Sequence, residues 1–196
     1  MKIMIAYPPL EGKGSPMLTQ NRQFQWYNVG SYIYPMVPAY AITLLKEHGY
    51  EVYWNDCISS QKKVDEFWKD LLAIKPDLVA IETKTPVVKQ HWAIANRIKR
   101  RLPLSRIVLM GDHVTALPLE SMKKCAADFV LTGGYYDFLL LNIANHISRS
   151  ESLNPGIYYR RDEEICNTGP FESNYDLDSL PFIDRLITKA HLYGEK

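Results

Sequence analysis

Cysteine is scarce in this chain: Cys57, Cys125 and Cys166 are the only three among 196 residues. They are odd in number, far apart and without C-x-x-C spacing. Neither a disulfide framework, a zinc site nor an iron–sulfur cluster is indicated. Cys57 and Cys125 stand in apolar segments and are expected in the core. A surplus of charge of one sign is missing too. The formal net charge is +1, which argues against a general phosphate-backbone binder. No stretch approaches the roughly 20 apolar residues of a membrane helix. Met1-Lys2 leads into a strand without a signal-peptide cleavage site, so a reducing, cytoplasmic setting is expected.

Familiar catalytic and nucleotide motifs are absent as well. Gly12-Lys13-Gly14 lacks the rest of a G-x-x-x-x-G-K-[ST] loop, and no G-x-G-x-x-G follows the first strand. No serine sits in a G-x-S-x-G elbow. A phosphorylated receiver domain needs acidic residues after strand one and an Asp ending strand three. Those places hold Tyr7-Pro8-Pro9 and Glu82.

What is present is a globular composition, 46% hydrophobic and 23% charged, in a chain long enough to bury roughly 70% of its unfolded surface. Short apolar runs at Lys2–Tyr7, Glu51–Trp54, Leu78–Ile81, Arg106–Met110 and Asp128–Leu131 read as strands buried on both faces. Between them lie helical patterns. Pro38 opens a helix running to His48, with Gly49 as its stop. Val64, Phe67, Trp68, Leu71 and Leu72 share one helical face. Further helices are expected from Pro86 to Arg101, Leu117 to Cys125 and Tyr136 to Ser148. The basic run ending at Arg101 suits a solvated helix C-terminus. This repetition predicts an α/β, doubly wound (Rossmann-like or flavodoxin-like) domain over residues 1–150, a five-stranded parallel sheet with helices on both faces. Residues 156–161 and 164–167 flank Asp162-Glu163 as a β-hairpin. With the aperiodic tail they form a second region, 151–196, read as hairpin and linker.

In such a sheet every βα loop emerges at the carboxyl edge, where ligands bind. These loops are small and polar. They contain Pro8 and Pro9 after strand one, Thr83, Lys84 and Thr85 after strand three, Gly111, Asp112 and His113 after strand four, and Thr132, Gly133 and Gly134 after strand five. Glycine permits positive φ and close approach of a ligand to the backbone, and the threonines offer hydroxyls. Asp112 and His113 are adjacent on a strand end and point apart, a poor orienting pair; His113 is read as a hydrogen-bonded loop residue, with no metal site expected. Glu82 lacks a second carboxylate or a nucleophile as companion. The pattern is that of a holder for a large small molecule, with no catalytic residue of its own. The long loop 10–36 carries Phe24, Trp26, Tyr27, Tyr32 and Tyr34, which argues against disorder.

The order Tyr7-Pro8-Pro9, then residues 36–52 (MVPAYAITLLKEHGYEV), then residues 111–118 (GDHVTALP), resembles the N-terminal cobalamin (vitamin B12)-binding domain of B12-dependent radical S-adenosylmethionine enzymes. Within them it is most similar to the anaerobic magnesium-protoporphyrin IX monomethyl ester cyclases of tetrapyrrole biosynthesis. His113–Pro118 follows the family's loop after strand four, Thr132-Gly133-Gly134 its glycine turn, and residues 176–184 (DLDSLPFID) the stretch before the radical domain. The resemblance implies cobalamin held at the edge residues named above. The D-x-H-x-x-G loop of methyltransferases and mutases is replaced by Pro8-Pro9, so the implied form is base-off, without a histidine on cobalt. It also implies a downstream radical domain holding a [4Fe–4S] cluster and S-adenosylmethionine, so this chain is expected to be one part of such an enzyme. Residues alone leave open another cofactor, such as flavin mononucleotide or a nucleotide-sugar, or an interaction domain with a decayed site.

Overall fold

The computed structural model describes residues 1–12, 15–17, 25–27 and 31–195. Its main sheet contains β1 (Lys2–Tyr7), β2 (Glu51–Asp56), β3 (Leu78–Glu82), β4 (Arg106–Met110), β5 (Phe129–Leu131), β6 (Ile157–Arg161) and β7 (Glu164–Asn167). The order is β7-β6-β5-β4-β3-β1-β2. The five strands expected from the apolar runs are present and pair in parallel, Ile3 beside Val52 and Leu78, Val79 beside Ile107, Val108 beside Phe129. The order 2-1-3-4-5 is doubly wound, with its topological switch between β1 and β3.

The hairpin is not an appendage to this sheet. β6 pairs antiparallel with β5, Val130 beside Tyr158, and β7 pairs with β6. The five-stranded parallel sheet is thereby extended to seven strands, and the otherwise open β5 edge is covered.

Helices cover both faces. On one lie α1 (Met36–Glu47) and α6 (Tyr136–Arg149), with Ile42, Leu45, Leu139 and Ile143 against Ile3, Ile5, Ala80 and Val108. On the other lie α2 (Val64–Ile74), α3 (Val88–Arg101) and α5 (Pro118–Lys124). There Phe67, Trp68, Trp92, Ala95 and Ile98 pack on Met4, Ala6, Val79 and Ile107, with Cys57 and Cys125 buried among them. Alternation along β1 sends Ile3 and Ile5 one way and Met4 and Ala6 the other, as a strand buried on both faces requires.

The basic end of α3 is solvated as expected, with Arg100 and Arg101 exposed. The guanidiniums of Arg97 and Arg101 lie 4.4 and 4.9 Å from the Trp68 ring centroid, where cation–π attraction holds them. Short ribbons join Ser15–Met17 to Gln25–Tyr27, and Ser31–Tyr32 to Gly194–Glu195. Phe24 lies outside the described residues. Among the described residues no helix is long and apolar enough to cross a membrane.

The tail also packs back onto the domain. The Asp184 amide donates to Thr43 Oγ1 at 3.0 Å, and Lys46 Nζ sits 2.8 Å from the Asp184 carboxylate. Tyr193 donates to Asp56 Oδ2 at 2.7 Å and accepts from Trp54 Nε1 at 3.0 Å. Residues without hydrophobic periodicity are thus anchored one contact at a time.

Candidate functional site

The carboxyl ends of β1 and β3 meet at the switch point, and a buried carboxylate occupies it. Glu82 closes β3 and is 2% exposed. Its Oε2 accepts from Tyr7 Oη at 2.5 Å, and its Oε1 from Tyr136 Oη at 3.1 Å. Lys84, also buried, brings Nζ to 3.8 Å from Glu82 and donates to Asp112 Oδ2 at 2.6 Å. One carboxylate therefore ties the ends of β1, β3 and α6 together, and Lys84 adds the turn after β4. Burial pushes the Glu82 carboxyl up, opposed by the Lys84 charge and the tyrosine hydrogen bonds. Burial and then the Glu82 charge hold Tyr7 and Tyr136 well above the usual phenol range.

Asp112 and His113 do not end a strand; they open the short helix α4 (Asp112–Ala116). They still diverge, as expected. Asp112 faces Lys84, whereas His113 Nδ1 lies 3.1 Å from Thr85 Oγ1 and its ring packs edge-on against Trp92. His113 Nε2 is 3.3 Å from a Glu120 carboxylate oxygen, off hydrogen-bond geometry and buried. The imidazole is thus walled in between Thr85, Trp92 and Glu120. Gly111 has φ +109°, and a Cβ there would stand 2.6 Å from the Thr83 carbonyl. Its absent side chain lets the β3 and β4 loops close on each other.

Thr83 is wholly buried, and its Oγ1 has no partner. An orphaned hydroxyl at the switch point is a costly feature. Thr132 is otherwise: its Oγ1 donates to the Gly156 carbonyl at 2.8 Å, fixing the glycine turn to the start of β6. Gly134 is exposed with nothing within 4 Å of its Cβ position, so its backbone is approachable. Gly133 has φ +83°, and a Cβ there would fall 2.3–2.6 Å from the ring of Phe171. Pro9 stands apart from these groups, lining a cleft of about 200 Å³ with Phe67, Trp68 and Gln90.

The structure therefore brings Thr83, Lys84, Gly111 and Asp112 into one cluster, Thr85 and His113 into a second, and Thr132, Gly133 and Gly134 into a third beside them. Thr115 Oγ1 lies 3.5 Å from the Gly133 carbonyl and links α4 to the glycine turn. Sequence reasoning missed Tyr7, Tyr136 and Phe171. A tyrosine closing an apolar strand and a carboxylate closing its neighbour were the available signals. Nothing local marked Phe171. Among the described residues no group of three or more His, Cys, Asp or Glu side chains could hold a metal ion.

No protein-family model matches the chain. An uncharacterized methyltransferase of Pyrococcus horikoshii is 21% identical over 183 residues, 92% of this chain and 37% of that protein. Among solved structures, the cobalamin-dependent S-adenosylmethionine radical enzyme OxsB with aqua-cobalamin bound is similar with a TM-score of 0.70 and 15% identity, over 97% of this chain and 25% of that one. The radical S-adenosylmethionine methyltransferase TsrM of Kitasatospora setae, with cobalamin and a [4Fe-4S] cluster bound, has a TM-score of 0.63 and 17% identity, over 92% of this chain and 30% of that one. The chain thus spans roughly a quarter to two-fifths of the proteins it matches. At these identities the likeness establishes a shared fold, a mostly parallel α/β sheet like a segment of these larger proteins.

Proposed function

We propose that this chain is a cobalamin-binding domain of a B12-dependent radical S-adenosylmethionine enzyme, gripping the cofactor at the carboxyl edge between Thr83 and Gly134. The observation that carries the reading is the match over 97% of the chain to OxsB, a protein described with aqua-cobalamin bound. The residues at the edge suit such a ligand. Cobalamin presents a neutral, amide-rich rim, and the edge offers the orphaned Thr83 hydroxyl, Thr85, and the open backbone of Gly134. The walled-in His113 supports a form without a protein imidazole on cobalt; that this form is base-off is what the resemblance implies. When bound, cobalamin would supply a cobalt centre able to carry a methyl group or assist radical chemistry.

The chain's own residues grip, orient and exclude water. The Glu82–Tyr7–Tyr136 network holds three edge segments in one arrangement before any ligand arrives, which lowers the ordering cost of binding. Residues 1–150 supply the gripping edge; residues 151–196 close the sheet and lead toward a radical domain holding the [4Fe–4S] cluster and S-adenosylmethionine. In this reading the parent enzyme acts in the cytoplasm. The resemblance to the anaerobic cyclases implies an apolar substrate, such as a porphyrin, a hopanoid or another lipid.

Gel filtration of the purified chain after mixing with hydroxocobalamin, flavin mononucleotide or a nucleotide-sugar tests the proposal. Cobalamin alone should co-elute and raise the melting temperature. At 100 times the dissociation constant the stabilisation is about 2.7 kcal/mol, roughly 5–10 °C for a domain of this size. Co-elution of the flavin or the nucleotide-sugar instead, or of no ligand, overturns it.

A further inference from the structure

The amino edge of the sheet, remote from the switch point, carries a pinned apolar turn among cations. α2, α3 and α5 end there, and β3 and β4 begin there. Between α3 and β4 the chain makes a tight turn over residues 102–105. The Ser105 amide closes it on the Leu102 carbonyl at 3.0 Å, with Pro103 in the second position that proline favours. Leu104, at the tip, is 93% exposed. The turn is nonetheless fixed in place. Ser105 Oγ donates to the Pro76 carbonyl at 2.6 Å, Lys99 Nζ to the Ser105 carbonyl at 2.9 Å, and the Arg106 amide to the Asp77 carbonyl at 2.8 Å. Beside it runs a cleft of about 430 Å³, lined by Leu72, Pro76, Leu102 and Leu104 together with the exposed Lys75 and Arg101.

Positive charge collects around this turn. Lys75, Arg100, Arg101 and Arg106 are exposed. Lys123 and Lys124, also exposed, end α5. The stretch after α5 meets α3 where the Ala126 amide donates to Asn96 Oδ1 at 2.8 Å. The two acids among these cations are engaged. Asp77 accepts from the Lys2 amide at 2.7 Å, and the buried Asp128 pairs with Lys99 at 2.9 Å and Arg106 at 3.1 Å. The whole chain carries a formal charge of only +1, so the excess of cations here is local. Cations that end a helix offset its dipole. That effect gives no reason to hold a leucine out in water among them.

We propose that this edge docks on an anionic lipid surface, with Pro103 and Leu104 entering the headgroup layer and the surrounding cations meeting acidic headgroups. A fixed apolar tip within a basic ring combines the two attractions that hold a protein on a membrane surface, apolar burial and pairing with anionic lipid. An acidic protein would answer the charges alone; lipid also takes the single projecting leucine. Docking by the amino edge leaves the carboxyl edge, at the far end of every parallel strand, free for its ligand. The proposal is argued from the amino edge and does not rest on the cofactor reading.

Flotation of the purified chain with vesicles tests it. One set of vesicles is phosphatidylcholine alone, and the other is equal parts phosphatidylcholine and phosphatidylglycerol. A polyglutamate resin stands for an acidic protein. The chain should float with the phosphatidylglycerol vesicles and not with phosphatidylcholine alone, and high salt should release it. Lys75→Gln combined with Arg100→Gln should weaken binding about 25-fold, about fivefold for each charge. Lys89→Gln combined with Lys189→Gln removes the same charge elsewhere and should bind as wild type. Leu104→Ser should weaken binding at least about fivefold, and Leu104→Trp should strengthen it. Each substituted position is exposed, and circular dichroism establishes that the variants are folded. No flotation with phosphatidylglycerol, equal flotation with phosphatidylcholine alone, or the same loss in both double variants overturns the proposal. Retention on polyglutamate without flotation overturns it in favour of an acidic protein partner. Flotation that Leu104→Ser leaves unchanged overturns the entry of the turn into the headgroup layer.

Discussion

Tyr7 and Glu82, at the ends of neighbouring parallel strands, meet through a 2.5 Å hydrogen bond in the buried floor of the carboxyl edge. Tyr136 completes the pair from the start of α6. Glu82→Ala should be the most damaging change at the edge. It leaves two buried phenols unpaired and Lys84 with Asp112 alone, a loss of about 3–5 kcal/mol. Glu82→Gln keeps an acceptor for one tyrosine and should cost less. Tyr7→Phe should cost about 1–3 kcal/mol. Urea denaturation of the three variants gives the order. A Glu82→Ala chain as stable as wild type would remove the network from the account.

Gly133 and Phe171 should be coupled. Gly133→Ala places a methyl 2.3–2.6 Å from the Phe171 ring, so the ring must leave or the backbone must shift. A double-mutant cycle with Phe171→Ala should show that part of the Gly133→Ala penalty disappears, a coupling of about 1–3 kcal/mol. Strictly additive penalties would mean that the glycine is needed for its φ alone.

His91 on α3 is wholly buried with neither ring nitrogen bonded, and burial holds its pKa down at about 3. The folded state keeps the neutral imidazole, while the unfolded chain protonates it below about 6.5. The contribution of His91 is therefore intact above pH 6.5 and is lost progressively as pH falls toward 3. His91→Leu should stabilise the fold by about 1 kcal/mol at pH 7 and by about 2 kcal/mol more at pH 5. Denaturation at the two values measures both. Equal gains at pH 5 and 7 would mean that the imidazole is protonated in the fold.

Asp137 behaves in the opposite sense. Burial raises its pKa to about 6, against hydrogen bonds from the Phe138 and Asp137 amides. A raised pKa contributes stability at pH below about 4 that is lost as pH rises through 6. Asp137→Asn cannot ionise and keeps an acceptor for the Phe138 amide. It should gain on wild type by up to about 3 kcal/mol between pH 4 and pH 6.5. A constant difference across that range would contradict the shift.

The parallel core was legible because each strand is an apolar run and each helix carries a stripe, as in Phe67, Trp68 and Leu71 of α2. Both signals are local and sum over several residues. The hairpin was legible as a hairpin but not as a sheet edge, because pairing of Val130 with Tyr158 leaves no periodic mark. The edge loops were legible as a set, since βα topology alone delivers them to one side. Their partners were not. Glu82 finds Tyr7 and Tyr136 across 75 and 54 residues, and a lone carboxylate in an apolar strand reads as a departure until both hydroxyls are seen. Phe171 belongs to a tail whose packing depends on isolated rings, which no repeat pattern records.

Electron paramagnetic resonance of cob(II)alamin mixed with excess purified chain at neutral pH tests the central claim most directly. Free cob(II)alamin shows nitrogen hyperfine splitting from its own nucleotide base on cobalt. The account predicts that this splitting disappears on addition of the chain, with no imidazole splitting in its place, and that His113→Ala gives the same spectrum. A spectrum identical to that of free cob(II)alamin, or an imidazole splitting lost in His113→Ala, would contradict it.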